Sequence, residues 1–106
     1  MNERRQYQRW KCDIPCRCKG RNGDFEGNLE NLSFNGALVR VDSGLEGVHS
    51  TLSIEVESDG ASVTLAAKVV YVEQGALGVE FTDEKEDRVR QLMPLFHDHL
   101  EAEGLI

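Results

Sequence analysis

Apolar and polar residues alternate along most of the first 81 positions of this chain. This period of two is what a half-buried β-strand requires, because successive side chains of a strand point to opposite faces. The first alternating stretch is typical, with charged residues on one face and four apolar positions on the other: Cys12, Ile14, Cys16 and Cys18. The chain is therefore predicted to be built mainly from strands.

Six such stretches are separated by short turns rich in glycine and asparagine. They cover residues 12–19, 25–31, 37–41, 52–56, 63–72 and 77–81. Turns this short leave no room for crossover helices, so we expect an antiparallel sheet or a small barrel. The stretch 63–72 is apolar at both parities toward its end, which predicts a central strand or a β-bulge.

The period changes after Phe81. Apolar residues then recur at the spacing of one helix face, at Val89, Leu92, Met93, Phe96 and Leu100. Thr82 or Asp83 is expected to cap this helix, and Pro94 to kink it or divide it into two pieces.

Composition excludes several classes of protein. With 40% hydrophobic and 29% charged residues, the 106-residue chain has the balance of one globular domain, and its apolar runs are too short to span a membrane. The N-terminal residues lack the apolar stretch of a secretory signal, so a cytoplasmic location with reduced thiols is expected. The net charge of −7 argues against general affinity for DNA or RNA.

That net charge is unevenly distributed. Residues 1–21 carry seven cations and two acids, a net +5, and the remaining residues carry −12. A basic arm on an acidic body indicates either a local anion site or pairing within the chain.

Neither the cysteines nor the histidines indicate a metal site or a catalytic site. Cys12 and Cys16 would lie about 13 Å apart on an extended strand, too far to share a metal ion, so the cysteines are interpreted as small core residues. The three histidines, His49, His97 and His99, are interpreted as surface residues. With no catalytic set and no cofactor motif, the chain is predicted not to be an enzyme.

Two motifs stand out, Arg4-Arg5-Gln6-Tyr7-Gln8-Arg9 at the start and Asn31-Leu32-Ser33-Phe34-Asn35-Gly36 between the second and third strands. The structural explanations are a solvated basic tail and a serine or asparagine turn closed by a glycine that is able to take a positive φ. The functional explanation is that the two motifs bind a guanine nucleotide. Arginine matches the O6 and N7 acceptors of guanine and also grips phosphate. The N1–H and N2–H donors of guanine need acceptors such as the Asn31 carbonyl and the Ser33 hydroxyl. Gly36 lets the backbone bend under the ligand.

With these motifs the sequence resembles the PilZ domain, a bacterial receptor module for the second messenger cyclic di-GMP. Gly78-Val79-Glu80-Phe81 is similar to the last strand of that family. The resemblance implies an all-β fold, a six-stranded antiparallel split barrel with a C-terminal α-helix and a flexible basic N-terminal arm. Over the single domain 1–106 it implies an arm at 1–10, a barrel at 11–82 and a helix at 83–103. The ligand-binding residues it implies are Arg4, Arg5, Arg9, Asn31, Ser33 and Gly36. Asn31 stands where the family often has Asp.

The expected function is that of a cyclic di-GMP receptor that orders its arm on binding and signals to a partner protein. One alternative is a PilZ-like adaptor that binds protein and no nucleotide. Another, a binder of single-stranded nucleic acid, would need a basic groove with stacking aromatic residues, whereas the body carries −12.

Overall fold

The computed structural model describes residues 10–42, 47–58 and 61–102, and the side chains of all of these except 58, 61 and 96–102. Arg4, Arg5 and Arg9 lie outside the described residues. The strands and the helix are β1 (Trp10–Gly20), β2 (Gly23–Leu32), β3 (Gly36–Val41), β4 (Thr51–Ser58), β5 (Ala61–Glu73), β6 (Ala76–Phe81) and α1 (Lys85–Ala102). β1 includes Trp10, one residue before the expected start of the barrel at residue 11.

The six strands close into an antiparallel barrel in the order β1-β2-β3-β6-β5-β4. This confirms the predicted six-stranded barrel with a C-terminal helix. Sequential strands form four of the six pairs as hairpins, whereas β1 with β4 and β3 with β6 are paired over longer connections. The latter pair brings the start of β3, where the asparagine-serine turn ends, next to the end of β6.

The barrel interior is filled by the inward-facing apolar residues of all six strands. Cys16 and Cys18 belong to this core, as predicted, at 7% and 0% exposure. Cys12 is half-buried and packs against it. His49 is exposed, which confirms its interpretation as a surface residue; the side chains of His97 and His99 lie outside those described.

β-Bulges reshape the strands at three places. β1 changes register against β2 between Lys11 and Ile14, and β2 changes register against β3 between Leu29 and Asn31. The predicted irregularity of β5 is confirmed, since its register against β6 shifts between Val69 and Tyr71. A bulge re-aims the side chains that follow it, so each shift determines which residues reach the outer face.

The C-terminal helix differs from the prediction in its start and in its apolar face. Asp83 does not cap it, because the Asp83 carboxylate accepts a hydrogen bond of 2.9 Å from the Ala66 N–H and ties the chain to β5. Met93 is 48% exposed, and Leu95, at 2%, joins Leu92 in the core instead. α1 also runs through Pro94 as one helix, so its division into two pieces is wrong. Over the described residues, no helix combines the length and hydrophobicity that a membrane crossing needs.

Candidate functional site

The turn between β2 and β3 is held together by the Ser33 hydroxyl. Its oxygen accepts hydrogen bonds from the backbone N–H groups of Asn35 and Gly36 and donates one to the Gly36 carbonyl, each at 3.2 Å. The Ser33 N–H donates to the same carbonyl at 2.9 Å. A hydroxyl has one proton and two lone pairs. At 4% exposure, this side chain therefore uses its whole hydrogen-bonding capacity within the turn.

Gly36 allows β6 to lie close to the start of β3. Gly36 does not adopt a positive φ, since among the described glycines only Gly23 and Gly75 do. Gly36 already belongs to β3, where it pairs with Glu80, and a Cβ atom at this position would collide with the Val79 carbonyl oxygen. A side chain at Gly36 would push β3 away from β6 and distort the turn that begins at Ser33.

Asn31 lies on the outer face of the barrel beside this turn. The bulge in β2 lets Leu29 and Leu32 both point into the core, which leaves the two residues between them facing outward. Asn31 is half-buried and stands between Lys11 of β1 and Leu38 of β3. Asn31 is therefore partly accessible to solvent on the outer face of the sheet.

The root of the basic arm meets the turn directly. Trp10 pairs with Leu32, and its ring meets that of Phe34 edge to face, with centroids 6.2 Å apart and planes at 86°. The residue before Trp10 in the chain is Arg9, the last residue of the arginine motif. The structure thus brings Asn31, Ser33 and Gly36 together with the point where the arm joins the barrel.

Trp10 and Phe34 are the residues that the sequence analysis missed. Both lie within or next to the motifs, and an aromatic residue directly after the arginines with another inside the turn was the available signal. Alternation alone does not reveal them, because a contact between the two depends on the pairing of β1 with β2.

Two acids near Asn31, Glu30 and Asp13, have partners. Glu30 forms an ion pair with Arg40. Asp13 accepts a hydrogen bond of 2.7 Å from the Asn28 amide. Lys11, opposite Asn31, is exposed. Partnered acids repel a bound anion less than isolated ones would, so this part of an acidic body is compatible with a phosphate-bearing ligand.

A second feature, an open groove of about 640 Å³, lies where β1 and β4 separate. It is lined by Pro15, Cys16, Arg17, Glu26, Gly27, Asn28, Glu55, Glu57 and Ser62. Three glutamates against one arginine make it unfavourable for phosphates. The groove is therefore not the site that the two motifs indicate.

The cysteines behave as core residues. Burial raises the pKa of the Cys12 thiol to about 11, and its Sγ donates a hydrogen bond of 3.2 Å to the Leu29 carbonyl. A hydrogen bond between the other two thiols lowers the pKa of Cys16 and raises that of Cys18. In the described part of the chain, no three histidine, cysteine or acidic side chains are grouped so that they could hold a metal ion.

Comparison with known proteins finds one family. The family model of the PilZ domain matches residues 3–96, a range that contains both motifs and all six strands. No curated protein matches the chain in sequence.

Solved structures with a similar fold come from several bacteria. The PilZ domain of YcgR from Escherichia coli, solved with c-di-GMP, has a TM-score of 0.72 at 15% identity, over 98% of this chain and 100% of that one. The PilZ domain of CeSA from a cellulose-synthesizing bacterium has a TM-score of 0.70 at 23% identity, over 85% and 99%. The inhibitor of motility MotI/DgrA of Bacillus subtilis has a TM-score of 0.70 at 16% identity, over 94% of this chain and 53% of that one. At these identities the likeness concerns the fold.

Proposed function

Because this chain belongs to the PilZ domain family, we propose that it is a receptor for cyclic di-GMP, without enzymatic activity of its own, that signals to a partner protein. The observation that carries the proposal is the contact between Trp10 and Phe34, which joins the root of the arginine arm to the asparagine-serine turn. Two motifs that are well separated in sequence thereby supply two sides of one site.

The two sides are chemically complementary toward guanine. The Asn31 carbonyl is an acceptor for N1–H or N2–H on the Watson–Crick edge, and it stands on the outer face beside the turn. The arginines Arg4, Arg5 and Arg9 are donors for O6, N7 and the phosphate oxygens. The family match to residues 3–96 includes all of these positions.

Ser33 and Gly36 act in this proposal by positioning. The Ser33 hydroxyl is bonded within the turn, and Gly36 allows β3 to approach β6. Together they fix the end of β2, and with it the orientation of Asn31. The contribution of these two residues to affinity is thus that of a rigid support for the residues that touch the base.

Ligand binding draws the arm onto the barrel, where charge-assisted contacts with the phosphates hold it. Closure changes the surface around Trp10 and the turn, and this changed surface is what a partner protein recognises. Trypsin cleavage after Arg4, Arg5 and Arg9 tests the closure. Cyclic di-GMP should slow it several-fold, while equal cleavage rates with and without ligand would remove arm closure from the mechanism.

The receptor role is tested by calorimetric titration with cyclic di-GMP, using cyclic di-AMP as the control. Adenine replaces the O6 acceptor by an N6 donor, which opposes an arginine and costs roughly 1–3 kcal/mol per mismatched contact. We expect binding of the guanine dinucleotide alone. Equal affinities would contradict guanine recognition, and binding of neither would favour the adaptor that takes no nucleotide.

A further inference from the structure

Cys16 and Cys18 lie side by side on the inner face of β1. Alternate residues of a strand point to the same face, and both side chains are buried in the barrel. With a rise of about 3.3 Å per residue, their Cα atoms lie about 6.6 Å apart, within the roughly 4.4–6.8 Å that a disulfide spans. The two thiols also share a hydrogen bond. They therefore stand at a separation from which a disulfide can form.

Cys16 is the member of this pair that reaches the open groove between β1 and β4. Among the described residues, the lining of that groove of about 640 Å³ includes Cys16 but neither Cys12 nor Cys18. Opposite Cys16 on β2 stands Gly27, which contributes no side chain that could cover the thiol. A small reagent that enters the groove therefore meets Cys16 before it meets Cys18.

The backbone of β1 is held on one side only at Cys16. In the described part of the chain, β1 pairs with β4 only where residues 17–20 face residues 52–55. The next pair would set Pro15 opposite Glu57, but proline has no N–H to donate to the ladder. Because β2 alone holds β1 at this point, the strand can adjust when a bond closes between the two sulfur atoms.

We propose that Cys16 is an oxidant-sensitive thiol that reacts with hydrogen peroxide entering through the groove, and that Cys18 is its resolving thiol. In the first step the Cys16 Sγ attacks a peroxide oxygen. An S–O bond forms, the O–O bond breaks, and the second oxygen leaves as water with the thiol proton. The sulfur is oxidised by two electrons to a sulfenic acid, and the peroxide is reduced.

The second step closes the disulfide. The Cys18 Sγ attacks the oxidised sulfur of Cys16, so that an S–S bond forms and the S–O bond breaks. The oxygen leaves as a second water and takes the proton of the Cys18 thiol. Over both steps, one peroxide and two thiols become one disulfide and two waters.

Cys12 provides a contrast within the same strand. It is half-buried and so more exposed than Cys16, and exposure alone would make it the first thiol to react. The nucleophile is the thiolate, however. The hydrogen bond with Cys18 lowers the pKa of Cys16, whereas burial raises that of Cys12 to about 11. The Cys12 Sγ also donates a hydrogen bond to the Leu29 carbonyl, which retains its proton.

This pair would give the domain a redox input that is separate from the nucleotide site. The inference goes beyond the proposed function and does not depend on it, because the reaction needs neither the arm nor a bound dinucleotide. In a reducing compartment such a disulfide is transient and reversible.

The test is treatment of the reduced full chain with hydrogen peroxide, followed by trypsin digestion and mass spectrometry. Trypsin cuts after the basic residues of β1, so Cys16 lies in the fragment 12–17 and Cys18 in the fragment 18–19. A disulfide between them joins the two fragments. Because the first fragment also contains Cys12, the experiment is run on the wild type and on Cys12→Ser, and the joined fragments are expected from both.

Variants of the pair separate the two steps. In Cys18→Ser, oxidation should stop at the sulfenic acid of Cys16, which dimedone captures. In Cys16→Ser, the joined fragments should be absent. Joined fragments from Cys16→Ser would assign the reaction to Cys12 and overturn the proposal, as would their absence from both the wild type and Cys12→Ser.

A second readout uses the folded wild type and needs no substitution. During brief exposure to iodoacetamide, Cys16 should be alkylated several-fold faster than Cys12, with the two sites distinguished by fragmentation of the peptide 12–17. Faster alkylation of Cys12 would show that exposure decides which thiol reacts, and would contradict the assignment of Cys16 as the reactive thiol.

Discussion

Trp10 meets Phe34 edge to face, with ring centroids 6.2 Å apart and an interplanar angle of 86°. This contact is where a strand that follows the arginine motif touches the turn that contains the asparagine-serine motif. Trp10, the residue that follows the arginine motif in the chain, therefore lies beside the turn.

The Trp10–Phe34 contact should be measurable as a coupling energy. In a double-mutant cycle of Trp10→Ala and Phe34→Ala, we expect about 0.5–1.5 kcal/mol of coupling in the free energy of unfolding. Denaturant unfolding of the four proteins gives this value. Strictly additive single substitutions would show that the rings do not stabilise each other.

Ser33→Ala should destabilise the fold by about 1–3 kcal/mol, because two backbone N–H groups lose their acceptor in a buried turn. Thermal or denaturant unfolding measures this loss. Ser62→Ala, at an exposed position of β5, is the matched control and should stay within about 0.5 kcal/mol of the wild type. An equally small effect of Ser33→Ala would mean that water or the backbone replaces the hydroxyl.

Asn31→Asp should bind cyclic di-GMP as tightly as the wild type or more tightly. A carboxylate accepts from both N1–H and N2–H, and its charge strengthens both bonds. Asn22→Asp at the tip of the β1–β2 hairpin adds the same charge far from the site and controls for its general effect. A loss of tenfold or more in Asn31→Asp, with the fold intact by circular dichroism, would place Asn31 against a phosphate instead of the base edge.

Cys12 should make stability fall at alkaline pH. Its pKa is raised from 9.0 to about 11, first by burial and further by Asp13 and Cys16. The unfolded chain therefore loses this proton at lower pH than the folded one. The stabilisation is fully present below pH 9 and is lost as the pH rises toward 11. Cys12→Ser keeps the hydrogen-bond donor but does not titrate in this range, so its free energy of unfolding in denaturant should fall less between those two pH values. An equal fall in the wild type and the variant would contradict the attribution of this pH dependence to Cys12.

The strands could be predicted from sequence because each one has a buried face with a period of two. The pairing of the strands could not be predicted fully, because β1 with β4 and β3 with β6 are joined by long connections and no local sequence pattern specifies these two pairs. The helix shows the same limit. Met93 and Leu95 both fit an apolar stripe, and only the barrel surface under α1 decides that Leu95 is the one buried.

For the candidate site, the sequence predicted the turn but assigned its parts differently. Ser33 and Gly36 were expected to meet or underlie the ligand, whereas one bonds within the turn and the other makes room for Val79. The contact between Trp10 and Phe34 could not be predicted, because it depends on the pairing of β1 with β2.

The central claim, that the basic arm and the turn form one cyclic di-GMP site, is tested most directly by calorimetric titration of single arginine substitutions. Arg5→Ala and Arg9→Ala should each weaken cyclic di-GMP binding by on the order of 2–4 kcal/mol, through loss of charge-assisted contacts, with little change in melting temperature. Arg21→Ala removes the same charge at an exposed hairpin position and should bind like the wild type. If Arg9→Ala lowered stability as much as affinity, or if Arg21→Ala weakened binding equally, the arginines would not form the site described here.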